Sequence, residues 1–251
     1  MTQTRPASQQ SVDVIIPVYN EERDLPKCVG TLRARFAAEC PYRWRIVVAN
    51  NASTDGTLEI AKTLKAAHPG EVDYIHLDQK GRGRALKKAW LASSADVRAY
   101  MDVDLSTDLA FFLPMIDPLM RGEYHIASGS RLKPGAQVKR GLKREFISRS
   151  YNLIVKVMFP RRRFYDAQCG FKAITRHAAE TLLPHIVDNK WFFDSEMLLR
   201  GEQQGYTIWE VPVRWEDDPD SRVKIVSTAT EDLKGLWRVR TTRFEDSVSE
   251  I

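Results

Sequence analysis

The chain has 251 residues, 43% of them apolar and 28% charged, which suffices for one sizeable α/β domain with a full core. Its three cysteines, Cys28, Cys40 and Cys169, are odd in number and lack C-x-x-C spacing. That suggests no disulfide framework or zinc site and fits a reducing, cytoplasmic location, while the formal charge of +5 suits a polyanionic ligand or an anionic membrane face.

Residues 1–11 are polar, without an apolar run, and are expected to be a disordered leader rather than a signal peptide. No stretch reaches the length of a membrane-spanning helix, so a soluble or peripheral protein is expected. No DNA- or RNA-binding motif is present, and no nucleic-acid partner is expected. Residues 12–18 form a β-branched run closed by Pro17 and Val18, which predicts a buried strand. A helix from Leu25 through Phe36 follows, with Asn20 as its expected N-cap. A second strand covers 44–49, with a turn at 50–56 and a helix at 57–67. A third strand covers 72–77, and Gly81-Arg82-Gly83-Arg84 opens a helix over 85–93. The fourth strand, 97–101, runs into Asp102-Val103-Asp104. Strands alternating with helices indicate βαβ units and a mostly parallel sheet.

On an extended backbone, residues two apart share a face. Asp102 and Asp104 are therefore expected to point the same way at a strand end, where open α/β sheets bind ligands. With the hydroxyls of Ser106 and Thr107 beyond, they make a hard oxygen site suited to Mg²⁺ or Mn²⁺ carrying a diphosphate.

Further on, a helix is expected over 109–120 and a strand over 124–129, then a loop at 130–135. A basic amphipathic helix over 143–159 carries Phe146, Ile147, Tyr151, Ile154, Val155 and Met158 as its apolar positions, flanked by Lys143, Arg144, Arg149 and Lys156. Its composition fits packing on the sheet and contact with a membrane surface equally well. A short strand at 173–174, a helix from 191 to 204, a strand over 207–213, a charged loop over 215–224 and a helix over 227–239 complete the chain, before a polar tail at 241–251.

Seven segments occur in an order that resembles the family two inverting glycosyltransferases of GT-A fold, and most of all the polyprenyl-phosphate sugar synthases that make dolichyl-phosphate glucose or mannose. They are residues 15–22 (Ile-Ile-Pro-Val-Tyr-Asn-Glu-Glu), 51–57 (Asn-Ala-Ser-Thr-Asp-Gly-Thr), 81–85 (Gly-Arg-Gly-Arg-Ala), 102–104 (Asp-Val-Asp), 129–131 (Gly-Ser-Arg), 166–172 (Asp-Ala-Gln-Cys-Gly-Phe-Lys) and 191–196 (Trp-Phe-Phe-Asp-Ser-Glu). The resemblance implies a single Rossmann-like domain over 12–240, with a nucleotide-binding half (12–107) and an acceptor half (108–240).

It also implies roles. Pro17, Tyr19 and Glu21 resemble the base-binding edge of the donor site. Asn50 and Asn51 stand where the family usually has an aspartate pair, which leaves uridine and guanosine both open. Gly81 and Arg82 resemble the loop along the nucleotide. Asp104 resembles a direct metal ligand, and Asp102 a ligand or a sugar contact. Asp166 lies in the segment below the reacting sugar, as a sugar or metal contact that need not act as a base, and Gln168 is a sugar contact. Arg131 and Arg149 resemble the arginines that fix the acceptor phosphate; Arg222 and Lys224 resemble basic residues that close over the diphosphate.

The implied reaction is metal-dependent, inverting transfer of glucose or mannose from a UDP- or GDP-hexose to a polyprenyl phosphate, with peripheral contact at the cytoplasmic face of a membrane. A soluble acceptor and a non-catalytic nucleotide-sugar binder are the alternatives.

Overall fold

The computed structural model describes residues 6–216 and 225–245. In chain order the elements are β1 (Ser11–Val18), α1 (Leu25–Glu39), β2 (Arg43–Asn51), α2 (Thr57–Ala67), β3 (Val72–Leu77), α3 (Arg82–Ala92) and β4 (Val97–Met101). There follow α4 (Phe112–Met120), β5 (Ile126–Ser130), β6 (Gln137–Lys139), α5 (Leu142–Met158), β7 (Phe171–Thr175), α6 (Arg176–Leu182), α7 (Phe193–Gln203), β8 (Ile208–Pro212), β9 (Arg214–Glu216) and α8 (Ile225–Thr241). Seven strands form one sheet in the order β3-β2-β1-β4-β7-β5-β8. Only β7 runs antiparallel to its neighbours in that sheet. β6 and β9 pair in parallel as a second, two-stranded sheet.

Alternation along the strands sorts the core into two layers. Val12, Val14, Ile16 and Val18 pack with Leu25, Val29, Leu32 and Phe36 of α1, and with Phe112, Met115 and Ile116 of α4. Ile15 and Tyr100 face the opposite layer, among Leu86 and Trp90 of α3, Met197 and Leu198 of α7, and Leu236 and Val239 of α8. A parallel strand covered on both faces reads as a mainly apolar run, the signal that residues 12–18 and 97–101 carry around the buried Asp13 and Arg98. The expected α/β architecture and mostly parallel sheet are what the chain forms.

Several local expectations change. Ser11 begins β1, and Gln10 is buried, its side chain donating to the Met120 carbonyl at 2.7 Å, so the end of the expected leader belongs to the sheet. At the other end, α8 runs into the expected tail, and the Phe244 ring lies 4.3 Å from that of His185. Asn20 is not a helix cap. It sits in the left-handed region at φ 57°, and its Oδ1 accepts from the Thr54 N–H at 2.8 Å, tying the loop after β1 to the loop after β2. The first helix starts at Leu25, as expected, with Asp24 rather than Asn20 before it. Residues 109–111 form a 3-10 turn capped by Asp108, ahead of α4. The short α6, capped by the Thr175 hydroxyl, and the three-residue strands β6 and β9 replace stretches expected to be loop or unassigned. Arg222 and Lys224 lie outside the described residues. The two expected halves share one sheet, because β7 from the later half pairs with β4 over Val97↔Thr175 to Met101↔Phe171.

The first turn of α3 is pressed against residues 189–193. Gly83 donates its N–H to the Lys190 carbonyl at 3.1 Å, and a Cβ there would meet the Phe193 Cβ at 2.6 Å and the Lys190 oxygen at 3.0 Å. Gly83→Ala is therefore expected to cost about 1–3 kcal/mol despite alanine's better helix propensity. Urea denaturation should show a lower midpoint, and a raised midpoint would contradict this contact.

Candidate active site

β1 lies between β2 and β4, so consecutive connections leave its two sides in opposite directions, and the loops beyond these strands border a crevice at their C-terminal ends. Of the expected donor and metal residues, Tyr19 and Glu21 follow β1 and Asp102 and Asp104 follow β4, while Pro17, Asn50 and Asn51 lie within the ends of β1 and β2.

Asp102 and Asp104 do not share a face on extended backbone. β4 ends at Met101, and the Leu105 N–H donates to the Asp102 carbonyl at 3.2 Å, closing a turn that puts Leu105 at φ 52°. The turn brings both carboxylates to one recess with Ser106, Thr107, Gly170 and Trp215. Asp102 is half-buried, and Asp104 is exposed, accepting the Ser106 N–H at 2.9 Å. Gly170 is obligatory here: a Cβ on it would stand 1.9 Å from Asp102 Oδ2. The short β9 covers the far side, with Thr107 bridged to Trp215 and the Glu216 N–H donating to the Ser106 carbonyl at 3.0 Å. Among the described residues no group of three His, Cys, Asp or Glu side chains is arranged to hold a metal ion. A pair of hard carboxylates at one small recess fits a divalent cation that takes its remaining ligands from water and a substrate's phosphates.

Behind Asp102 lies a buried ionic cluster. Arg82 Nη2 donates to Asp102 Oδ1 at 2.9 Å and Nη1 to Asp194 Oδ2 at 2.8 Å, with the guanidinium carbon 5.0 Å from the Tyr100 ring centre and 5.2 Å from that of Trp191. The Tyr100 hydroxyl donates to Asp194 Oδ1, and Lys172 Nζ stands 3.4 Å from the same oxygen. Burial would raise the Asp194 carboxyl, but Lys172 and Arg82 outweigh it and hold the group below its usual range. Burial and then Asp194 push the Tyr100 hydroxyl well above its ordinary value, so it stays a proton donor.

Arg131 and Asp166 form a second closed pair. Asp166 is fully buried and accepts from Arg131 Nε at 2.7 Å, Nη2 at 3.0 Å and the backbone N–H at 3.1 Å. Burial works against its charge, yet the Arg131 guanidinium and these hydrogen bonds hold the carboxyl well below the carboxylate range. With the Gln168 N–H also donating to Oδ1 at 3.0 Å, Asp166 has no oxygen left with which to remove a substrate proton. Arg131 stacks 5.0 Å from the Trp215 ring centre, facing the recess wall. Gln168 is half-buried, its amide donating to Asp232 of α8 at 2.9 Å.

Other expected contacts are differently employed. Asn50 is fully buried against His76, 3.0 Å between nitrogens, and accepts the Ser53 N–H at 3.2 Å. Asn51 Oδ1 accepts the Gly81 N–H at 2.6 Å, which fixes the loop carrying Arg82. These amides brace the crevice floor and do not project into it. Pro17 is held in β1 opposite Ala49. Tyr19 has Lys80 Nζ 3.2 Å from its ring centre. The Glu21 N–H donates to the Thr57 hydroxyl at 2.9 Å at the start of α2. Arg149 is 65% exposed and paired with Glu145 on the outward face of α5, turned from the side that packs inward through Tyr151, Asn152 and Val155. It is not paired with the Arg131–Asp166 couple. Glu196 is buried between α7 and α8, accepting from Arg238 at 2.7 Å, and belongs to the packing rather than to the crevice.

Sequence reasoning passed over Lys80, Tyr100, Lys172 and Trp191 as site residues. A lysine and a tyrosine inside apolar strand runs were the available signal, because such groups are buried only with partners.

The model of the family described as Glycosyl transferase family 2 matches residues 13–183. Glycosyltransferase AglD of Haloferax volcanii is 38% identical over 95% of this chain, which spans only 39% of that protein's length. The dolichyl-phosphate beta-glucosyltransferase of Drosophila melanogaster is 29% identical over 84% of this chain and 69% of its own. Among solved structures, glucosyl-3-phosphoglycerate synthase of Mycobacterium tuberculosis superposes with a TM-score of 0.69 at 16% identity, covering 92% of this chain and 80% of that one. A complex of that enzyme with Mn²⁺, UDP-glucose and phosphoglyceric acid gives a TM-score of 0.67 at 16% identity, over 92% of this chain and 79% of that one. With the family match spanning more than half of its length and the sheet of the GT-A fold beneath it, the chain belongs to glycosyl transferase family 2 and is a GT-A glycosyltransferase.

Proposed function

We propose that the chain transfers glucose, with inversion, from UDP-glucose to a polyprenyl phosphate. The observation that carries this reading is the state of the two buried carboxylates. Every oxygen of Asp166 and Asp194 is already taken by a cation or a hydrogen-bond donor. A hydroxyl acceptor needs a base to take its proton. A phosphate monoester, with its second pKa near 6, is already ionised at neutral pH and needs only placement. The glucosyl preference is supported by the relatives named dolichyl-phosphate beta-glucosyltransferase, and the choice of uridine by the UDP-glucose complex of the fold neighbour.

In this reading Asp104 and Asp102 hold a divalent cation, Mg²⁺ or Mn²⁺. A cation held there would supply neutralisation of the charge on the departing nucleoside diphosphate. Arg82 orients Asp102 through its 2.9 Å contact and adds positive charge at the crevice wall. Arg131, held rigid by Asp166, presents its guanidinium edge to the acceptor phosphate. The acceptor oxygen bonds to the anomeric carbon as the bond to the diphosphate breaks on the opposite face, so the configuration inverts. No proton moves to or from the protein.

The lipid half of the proposal is supported by α5. Leu142, Phe146, Leu153 and Val157 recur at helical spacing on one side of it, and each is more than 60% exposed. Lys143, Arg149 and Lys156 are exposed around them. An apolar ridge edged with lysine and arginine suits an anionic bilayer surface. No helix among the described residues is long and apolar enough to cross a membrane.

The purified protein, given Mg²⁺ or Mn²⁺ and a short polyprenyl phosphate, is expected to yield the glucosylated lipid phosphate from UDP-glucose, read by mass spectrometry across a panel of UDP- and GDP-hexoses. Asp104→Ala is expected to lower turnover by roughly 100-fold or more. Product from a GDP-hexose alone, or undiminished turnover in that variant, would defeat the donor and metal assignments respectively. In a separate measurement, replacing Phe146, Leu153 and Val157 with Asp together should weaken sedimentation with phosphatidylglycerol vesicles by about tenfold or more, while UDP binding persists. Unchanged vesicle binding and lipid transfer would point instead to an acceptor free in solution.

A further inference from the structure

Asp232 of α8 reaches segment 166–172. Its Oδ2 accepts from Gln168 Nε2 at 2.9 Å, across 64 residues of sequence. Asp232 is only 2% exposed, and its other oxygen, Oδ1, is buried with no hydrogen-bond partner. The surroundings on α8 are apolar: Leu236 and Val239 are buried, and Gly235 lies against the Phe192 ring, where a Cβ would come within 2.3 Å. A carboxyl with an unsatisfied oxygen is a poor way to pack a helix, since an apolar residue of similar size would carry no such penalty. Its one connection is to Gln168.

Gln168 is the side chain of segment 166–172 that internal bonding leaves able to face the crevice. Asp166 is consumed by Arg131, Cys169 is buried, Gly170 is covered by Asp102, and Lys172 is fully buried beside Asp194. Gln168 is half-buried, and its backbone is pinned to Asp166 at 3.0 Å. A glutamine amide has a donor end and an acceptor end of nearly the same shape, and either can point outward. An ionised carboxylate only accepts, so it draws the NH₂ group inward.

We propose that Asp232 is a positioning residue that fixes the Gln168 amide with its carbonyl oxygen toward the donor sugar, as an acceptor for one hexose hydroxyl. This rests on the nucleotide-sugar reading of the crevice. It makes the site selective for a sugar that carries that hydroxyl, because a deoxy sugar would leave the carbonyl unpaired.

The charges around Asp232 give this arrangement a pH dependence. Asp188 and Asp194 face it from the segment that leads into α7 and from α7 itself, Tyr151 faces it from α5, and Glu231 is its neighbour on α8. The nearby cations are engaged elsewhere, Lys190 with Glu231 at 2.7 Å and Arg238 with Glu196 at 2.7 Å. Burial, followed by Asp188 and Glu231, pushes the carboxyl up to about 7. Below that pH it carries a proton, can donate as well as accept, and no longer selects one orientation of the amide.

The test is a double-mutant cycle with UDP-glucose in the full chain. Gln168→Ala and Asp232→Leu should each lower kcat/KM by about fivefold or more, the worth of one hydrogen bond. The double variant should be no worse than Gln168→Ala alone, and UDP affinity should not move in any of them. Asp232→Asn, whose amide can accept or donate, should lie between wild type and Asp232→Leu and lose the acid limb of the pH profile near 7. Additive losses, or UDP affinity falling together with UDP-glucose affinity, would show that Asp232 merely holds α8 in place. The Gln168 side-chain NH₂ resonance, assigned by its disappearance in Gln168→Ala, supplies a readout independent of turnover. It should titrate near pH 7 in the wild type and stay flat in Asp232→Asn. If it titrates but no nucleotide sugar is bound or cleaved, the nucleotide-sugar reading fails and the Asp232–Gln168 contact stands. If UDP-glucose is turned over while the resonance stays flat in the wild type, the positioning inference fails.

Discussion

The buried ion cluster at the end of β4 sets the terms for everything around it. Arg82, Asp102, Asp194 and Lys172 come from α3, the turn after β4, α7 and β7, and the Tyr100 hydroxyl closes the set. Charges this deep are tolerated only as a paired set, and removing one partner typically costs about 3–5 kcal/mol. Four elements must therefore arrive in register for any of them to be stable. That requirement, more than apolar burial alone, fixes where Asp102 stands relative to the crevice. It also explains why two halves of the sequence behave as one body, since Asp194 from the later half satisfies Arg82 from the earlier one.

Glycines make this closeness possible. Gly170 lets the 166–172 segment lie directly on Asp102, and Gly83 lets α3 begin against the backbone of 189–190. The loop holding Arg82 is fixed from below by Asn51, whose oxygen takes the Gly81 N–H. An aspartate at position 51 would accept the same N–H but add another buried negative charge to the cluster's edge. Asparagine supplies the acceptor without that charge. The pair Asn50-Asn51 thus has a structural account that does not depend on which nucleotide base binds.

Most of the sheet was legible because its strands are mainly apolar segments set between turn residues, and residues 72–77 and 97–101 match their predicted bounds. What escaped was set by partners distant in sequence. β6 and β9 are three residues each, a single apolar side chain (Val138, Trp215) between two polar ones, too short to signal a strand before they pair with one another. The shared orientation expected of Asp102 and Asp104 assumed extended backbone, but the strand stops at Met101 and a turn does the joining. On α5 the expected apolar positions mixed two faces: Tyr151 and Val155 go inward, whereas Phe146 points out, with Leu153 and Val157 beside it. A helix apolar on opposite sides yields no single stripe, so sequence alone could not say which residues meet the core. Tyr100 and Lys172 stood out only as polar groups inside apolar strands; what they pair with was hidden, because their partner, Asp194, lies far from Tyr100 and on another element from Lys172.

The two faces of α5 also bear on how lipid and sugar chemistry are joined. Its inner face holds the active-site segment: Asn152 Oδ1 accepts the Ala167 N–H at 3.0 Å, next to Asp166, and the Tyr151 hydroxyl donates to Ser195 at 2.7 Å, next to Asp194. Each buried carboxylate therefore has, at the adjacent residue, a hydrogen bond to the same helix. Its outer face carries the apolar ridge proposed to meet the bilayer. A helix is stiff over this length, so seating the ridge at a membrane would set the height and tilt of the Arg131–Asp166 pair above the lipid surface. In the proposed reaction the acceptor phosphate, tethered to its chain in the bilayer, would be restricted to that same level. One rigid element would thus bring a surface-bound anion and the Arg131 guanidinium to a common plane, and placement would replace proton transfer as the main demand on the site.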